Sequence, residues 1–166
     1  MTISKIKSIF ILITATSLIL LVAVIYNDFH FKNNPLSPTL LQKIEHKKLY
    51  LQRLSQMKYN IDLDIPVIVT DQIPDNLFGA AHYTKTNEIQ IFLNKNRFQE
   101  SGEYMVEYVL PHEYAHALMF ALGDFTKKNG GHSLKWQKIC LALEGKKCDR
   151  YVKNNDILFG KVPYLK

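Results

Sequence analysis

Ser8 to Tyr26 (SIFILITATSLILLVAVIY) is a run of 19 residues without a charged side chain. As a helix it would be about 28 Å long, close to the hydrocarbon thickness of a bilayer. A membrane-spanning helix is the expectation, in preference to a buried core helix. Lys5 and Lys7 precede the run, whereas Asn27, Asp28, Phe29 and His30 follow it with no lysine or arginine before Lys32. The positive-inside rule then keeps the N-terminus in the cytoplasm and carries the rest of the chain across the membrane. A cleaved signal peptide is the competing reading. Cutting after Ala23 would put Leu21 three residues before the bond, a poor small-residue site. Residues 1–32 are therefore expected to be an uncleaved signal anchor. No cysteine follows the apolar run, so a lipoprotein is not indicated.

The remaining length is enough for one domain with a real core. Hydrophobic residues at 47% and charged residues at 22% exclude a disordered tail, a collagen-like repeat and an all-membrane chain. Cys140 and Cys148 are the only cysteines, too few for a disulfide-dense scaffold or a four-cysteine zinc ribbon. Of the net charge of +6, residues 33–166 retain +4, and ten Lys or Arg against four Asp or Glu fall between Asp124 and Lys166. Such a face can attract an anionic polymer or lipid. The dispersed, acid-interleaved lysines suit a solvated surface better.

Asn33 to Ser37, with Pro35, reads as a short stalk, and residues 38–166 as the domain. Ser37 is a candidate N-cap with Pro38 at the first helical position. Leu40, Leu41, Ile44, Leu51, Leu54 and Met57 then recur at helical spacing. Val67 to Thr70, Ala80 to Thr84 and Glu88 to Leu93 read as strands, the last two forming a hairpin, with Gly79 suited to a tight bend before the second. Ser101 is a candidate N-cap for a helix running to about Leu122, where Gly123 can end it in a left-handed conformation. Pro111 inside that stretch predicts a kink just before His112. After a polar loop with Gly130 and Gly131, Ser133 to Glu144 reads as a shorter helix closed by Gly145.

Within the long helix stand His112, Glu113, Tyr114, Ala115 and His116, the pattern H-E-x-x-H. Four residues advance a helix by slightly more than one turn, so both imidazoles project from one face at a separation that one zinc ion can bridge. Glu113 falls beside the metal, where it can take a proton from water activated by the ion. This is the arrangement of zinc-dependent peptide hydrolysis. About one chain in a hundred of this composition would contain the pattern by chance, so context decides. The flanking Val109, Leu110, Ala117, Leu118, Phe120 and Ala121 favour a buried helix.

A catalytic zinc normally takes three protein ligands. Met119 and Leu122 stand where a metzincin would have glycine and its third histidine, which excludes that class. Glu144 is a candidate carboxylate ligand, but it sits near a helix end. His132 is better placed, since Gly130 and Gly131 can fold the start of the next helix back against the first.

HEYAHALMFALG, followed by GGHSLKWQKIC and LALEG, resembles the SprT-like (Spartan-type) zinc metalloproteases over about Pro38 to Asp149. The resemblance implies His112, His116 and His132 as metal ligands, Glu113 as general base, and Trp136 as the aromatic packed behind the third ligand. The upstream order of helix, strands, a glycine-containing segment (Phe78 to Ala81) and a strand ending IFLN is similar too. Two departures stand out: Ser133 replaces the family's glycine after the third histidine, and no DNA-binding addition or C-terminal zinc ribbon is visible.

Other residues are less informative. His82 suits a structural or surface role. Tyr83 or Tyr114 could donate to a developing oxyanion, and nothing in the sequence selects between them. Cys140 and Cys148 could form a disulfide in an oxidising compartment or remain thiols. The expectation is an α+β fold, a small three-stranded sheet packed on a zincin-type HExxH helix, behind an N-terminal transmembrane helix. Its function would be zinc-dependent hydrolysis of a protein or peptide outside the cytoplasm, in the periplasm or extracellular space. The cofactor is Zn2+, residues 8–26 engage the membrane, and nucleic acid is not an expected partner. The alternative is a catalytically silent, zinc-stabilised binding module at the membrane.

Overall fold

The structure, a computed structural model, describes residues 3–74, 76–84, 86, 88–125 and 131–149. The chain divides into two units, Met1–Leu36 and Ser37–Lys166. The first unit is dominated by α1 (Ile3–Asn33), which is long and apolar enough to cross a membrane and has no buried residue. The hydroxyls of Ser8, Thr14 and Thr16 donate to the carbonyls of Ser4, Phe10 and Leu12 one turn back, at 3.1, 2.9 and 3.0 Å. These three hydroxyls are thus satisfied inside the helix, as hydrocarbon surroundings require.

In the second unit, α2 (Pro38–Tyr59) begins as expected: the Ser37 side chain accepts from the Leu40 amide and Pro38 occupies the first turn. The strands are β1 (Val67–Thr70), β2 (Gly79–Tyr83) and β3 (Ile89–Asn94), in the order β1-β3-β2. β2 and β3 form the expected antiparallel hairpin, Gly79 opposite Leu93 and Tyr83 opposite Ile89. β1 runs parallel to β3, a pairing with no local signature. Central β3 buries Ile91, Leu93 and Asn94 completely, and β2 is left as an edge.

Asn94 ends the sheet and starts a helix. Its side-chain amide donates to the Leu77 carbonyl at 2.9 Å, and its Oδ1 accepts from the Asn96 amide at 3.0 Å. α3 (Lys95–Tyr104) is interrupted at Ser101, whose backbone is extended (φ −163°, ψ 105°) and whose hydroxyl accepts from the Tyr104 amide at 3.1 Å. Ser101 therefore caps the long helical stretch as expected. The turns at 95–100 before it were not expected. A π-helical turn, Met105–Val109, then leads into α4 (Leu110–Ala121), with the Leu110 amide donating to the Met105 carbonyl. The break expected from Pro111 takes this form: a wider turn accommodates a ring that has no N–H to give. Gly123 ends the stretch at φ 76°.

α5 (Leu134–Ala142) is capped by Ser133, whose hydroxyl accepts from the Trp136 amide. It ends sooner than the sequence suggests. The left-handed residue is Glu144 (φ 58°), not Gly145. α4 is the centre of the unit, packed by β2 and β3, by α5 and by α2. α2 buries only Ile44, Leu51, Leu54 and Ser55, while Leu41 and Met57, expected on its inner face, are 44% and 80% exposed. Packing against α4 and the π-helical turn covers a narrower stripe than the sequence periodicity marks. Most of the basic C-terminal segment, along with Gly130, lies outside the described residues.

Candidate metal centre

Of the residues of α4, Leu110, Tyr114, Ala115, Ala117 and Leu118 are buried without measurable exposure, which holds the helix in one rotation. That rotation turns His112 and His116 toward a cleft of about 750 Å³. Their rings lie 5.1 Å apart. His132, just ahead of the α5 N-cap, comes in from across the loop. Its Nε2 is 2.8 Å from His112 Nε2 and 3.4 Å from His116 Nε2. One ligand atom from each of the three lies within 4.8 Å of the others, close enough to hold a single metal ion.

Burial, followed by repulsion from His132, lowers His112 to about 4 against an opposing backbone hydrogen bond to Lys147. Burial, followed by repulsion from His112 and His132, lowers His116 to about 3. Both rings are thus neutral at physiological pH, with a lone pair to offer. With Nε2 of His112 facing the other rings, a bond from the ring to the Lys147 backbone carbonyl matches the Nδ1–H tautomer.

Trp136 closes the site from behind. It is fully buried, stacks on His116 at 4.9 Å, and meets His112 and His132 edge-on at 4.6 and 4.5 Å. Its Nε1 is a buried polar atom with no hydrogen-bond partner among the described residues. Across the loop that carries His132, Lys135 on α5 pairs with the buried Asp124 after α4 at 2.7 Å. The ion pair ties together the two ends of that loop.

Glu113 is buried next to the histidines and lines the same cleft. Burial pushes its carboxyl up to about 8, against a hydrogen bond from the Ala81 backbone. The source of that bond follows from the hairpin. Phe78 pairs with Asn94 and Thr84 with Glu88, so the alternate residues Gly79, Ala81 and Tyr83 turn their backbone groups to the outer edge of β2. Gly79 is there for space. A Cβ would stand 2.8 Å from Glu113 Cγ and 3.0 Å from the Phe92 carbonyl, so no other residue lets the strand approach the carboxylate so closely. This replaces the tight bend expected at Gly79, whose φ is not left-handed.

A family model, that of the SprT-like family, matches residues 26–155. The chain belongs to the SprT-like family. No curated protein and no solved structure matches it. In this SprT-like chain, Ser133 caps α5, which accounts for a residue other than the family's glycine after His132. Glu144 lies away from the cleft and accepts from the Tyr50 hydroxyl. Tyr114, weighed as an oxyanion donor, is a core residue whose hydroxyl donates to the Leu63 carbonyl at 2.6 Å. Tyr83 and His82 are exposed on β2 outside the cleft lining. Cys140 and Cys148 form a disulfide.

Sequence reasoning missed Tyr104, Tyr108 and Phe120, which line the cleft on either side of the histidines. A usable signal existed for two of them. Tyr108 and Phe120 lie four residues before His112 and four after His116, near the helix face that carries the two histidines.

Proposed function

We propose that this SprT-like chain is a zinc metallopeptidase, anchored by residues 1–32, whose domain (38–166, after a stalk at 33–37) acts outside the cytoplasm on a protein or peptide. The observation that carries the reading is the convergence of three imidazole nitrogens beside a buried carboxylate in an open cleft. The donor set fits zinc. With Zn–N bonds of about 2.0–2.1 Å, tetrahedral ligand nitrogens stand about 3.3 Å apart. The 3.4 Å between His116 and His132 already has that value, and the 2.8 Å between His112 and His132 requires an opening of about half an ångström. When bound, zinc supplies a Lewis acid that polarises a carbonyl and lowers the pKa of water to about 7.

The chain's own residues do the rest. His112, His116 and His132 hold the ion, and Glu113 takes a proton from the attacking water and returns it to the leaving amine. The outer edge of β2, from Gly79 to Ala81, receives the substrate as an added strand, with Tyr108 and Phe120 beside its side chains. One feature supports an extracytoplasmic site: the disulfide belongs to an oxidising compartment.

The test is metal content and hydrolysis of an unfolded protein by the detergent-solubilised full chain. Wild type should carry one zinc and cut. Glu113→Gln should keep the zinc and lose about 100-fold or more in turnover, and His132→Ala should lose the zinc. Full activity in Glu113→Gln would refute the assignment. Zinc without hydrolysis in wild type would instead leave a zinc-stabilised binding module.

A further inference from the structure

The carbonyl that orients His112 comes from a segment with an unusual attachment. Lys147 lies next to Cys148, which is bonded to Cys140 at the end of α5. Cys140 is one helical turn beyond Trp136, the ring packed on all three histidines, and both are fully buried. The chain reverses between the two cysteines through the left-handed Glu144. It then passes so close to the sulfurs that a Cβ on Gly145 would stand 2.6 Å from Cys140 Sγ and 3.1 Å from Cys148 Sγ. The disulfide, the reversed chain and the Lys147 carbonyl, 3.9 Å from Cys140 Sγ, are thus one packed unit, and Lys147 lines the cleft.

We propose that the Cys140–Cys148 disulfide is a positioning device for the metal centre: it fixes the Lys147 carbonyl against His112 Nδ1–H, and opening it weakens metal binding while the domain stays folded. Outer partners of ligand histidines typically change metal affinity about 10- to 100-fold when lost, because they fix the tautomer and aim the lone pair. With the bond cut, the segment keeps the Lys146 ion pair to Glu107 at 3.2 Å, the Gln137 contact to the Cys148 carbonyl at 3.5 Å and the Cys140 Sγ contact to the Lys147 carbonyl at 3.9 Å. None of these is a covalent constraint on the direction of the Lys147 carbonyl. Full zinc affinity then follows disulfide formation, and so follows export. The inference rests on zinc binding at His112, His116 and His132.

The test uses the full chain in detergent micelles: oxidised wild type, wild type reduced with a water-soluble phosphine, and the double variant Cys140→Ala/Cys148→Ala. Reduction breaks the S–S bond, leaves two thiols, and turns the phosphine into its oxide with oxygen from water. Zinc affinity is read by competition with a chromogenic chelator. The His112 tautomer is read from imidazole 15N shifts of the metal-free protein, and far- and near-ultraviolet circular dichroism report the fold. The expected result is a 10- to 100-fold weaker affinity in both opened forms and a His112 ring that leaves the pure Nδ1–H tautomer, with the fold retained. Affinity within twofold and an unchanged tautomer would overturn the proposal, since a disulfide that only stabilises the fold moves neither. If the double variant does not fold, the reduced wild type, prepared from folded protein, supplies both readings. An oxidised wild type that takes up no zinc would remove the metallopeptidase reading as well. One that binds zinc equally well in both states removes only the role of the disulfide.

Discussion

The two halves of the candidate metal centre are built differently. His112, Glu113 and His116 lie within five residues of one helix, so their spacing is a property of secondary structure. His132, Trp136 and the Lys147 carbonyl reach the same point from beyond α4. They depend on a cap at Ser133, the Asp124–Lys135 ion pair across a loop, and a disulfide. The first half should survive wherever α4 is helical, and the second only while the tertiary structure is intact. Substitutions that leave α4 helical but disturb its surroundings should therefore separate the two.

The largest effect is expected at Trp136. Its ring fills the space behind all three histidines, and Trp136→Ala should cost about 3–5 kcal/mol of stability by leaving a large cavity. Urea denaturation of the solubilised protein measures it. A loss under about 1 kcal/mol would mean that the second half is held without its central side chain, which breaks the comparison. Next comes Gly79→Ala. The new methyl, 2.8 Å from Glu113 Cγ, must displace the carboxylate from the helix-defined position, because the Phe92 carbonyl behind it cannot yield. Turnover should fall about 100-fold with one zinc still bound. Loss of the zinc instead would show that β2 supports the ligands and not only Glu113.

The same division governs what could be read from the sequence. The i, i+4 histidines, the Ser37 and Ser101 caps, the left-handed Gly123 and the hairpin are set by residues within about five positions of one another, and all were legible. His132 was legible through its place before a helix and after a glycine loop. The parallel pairing of β1 with β3, the contact that makes Gly79 obligatory, and the carbonyl of Lys147 join residues far apart in the chain. No local rule encodes them. The exposure of Met57 belongs with these, since periodicity marks a face that can be buried and only the neighbouring elements decide how much of it is.

A smaller effect separates the halves at the loop. Lys135→Ala removes the ion pair to Asp124 and should cost about 1 kcal/mol, because the lysine is half exposed and solvent screens the pair. Zinc affinity should fall by a few-fold through His132 alone. Circular dichroism at 222 nm should be unchanged because α4 is untouched. An unaltered affinity would show that the cap at Ser133 holds His132 without the ion pair.

The smallest effect tests a further residue that links the halves. Glu107, on the π-helical turn before α4, pairs with Lys47 of α2 at 2.7 Å and with Lys146 of the disulfide-closed segment at 3.2 Å. Burial works to raise its carboxyl, but the hydrogen bonds and charges of Lys47 and Lys146 outweigh it and hold the group below the ordinary carboxylate value. A carboxylate depressed in the folded state stabilises the fold above its unfolded pKa, about 4.3. That stability is lost as pH falls through the lower folded value. With Lys146 half exposed, the contribution is at most about 1 kcal/mol. Denaturation midpoints of wild type and Glu107→Gln should therefore differ by a constant amount between about pH 7 and 5 and converge below about pH 4. A difference that persists undiminished at low pH would assign the role of Glu107 to packing and not to charge. The segment that carries Lys147 would then be held to α5 by the disulfide, without help from this charge pair.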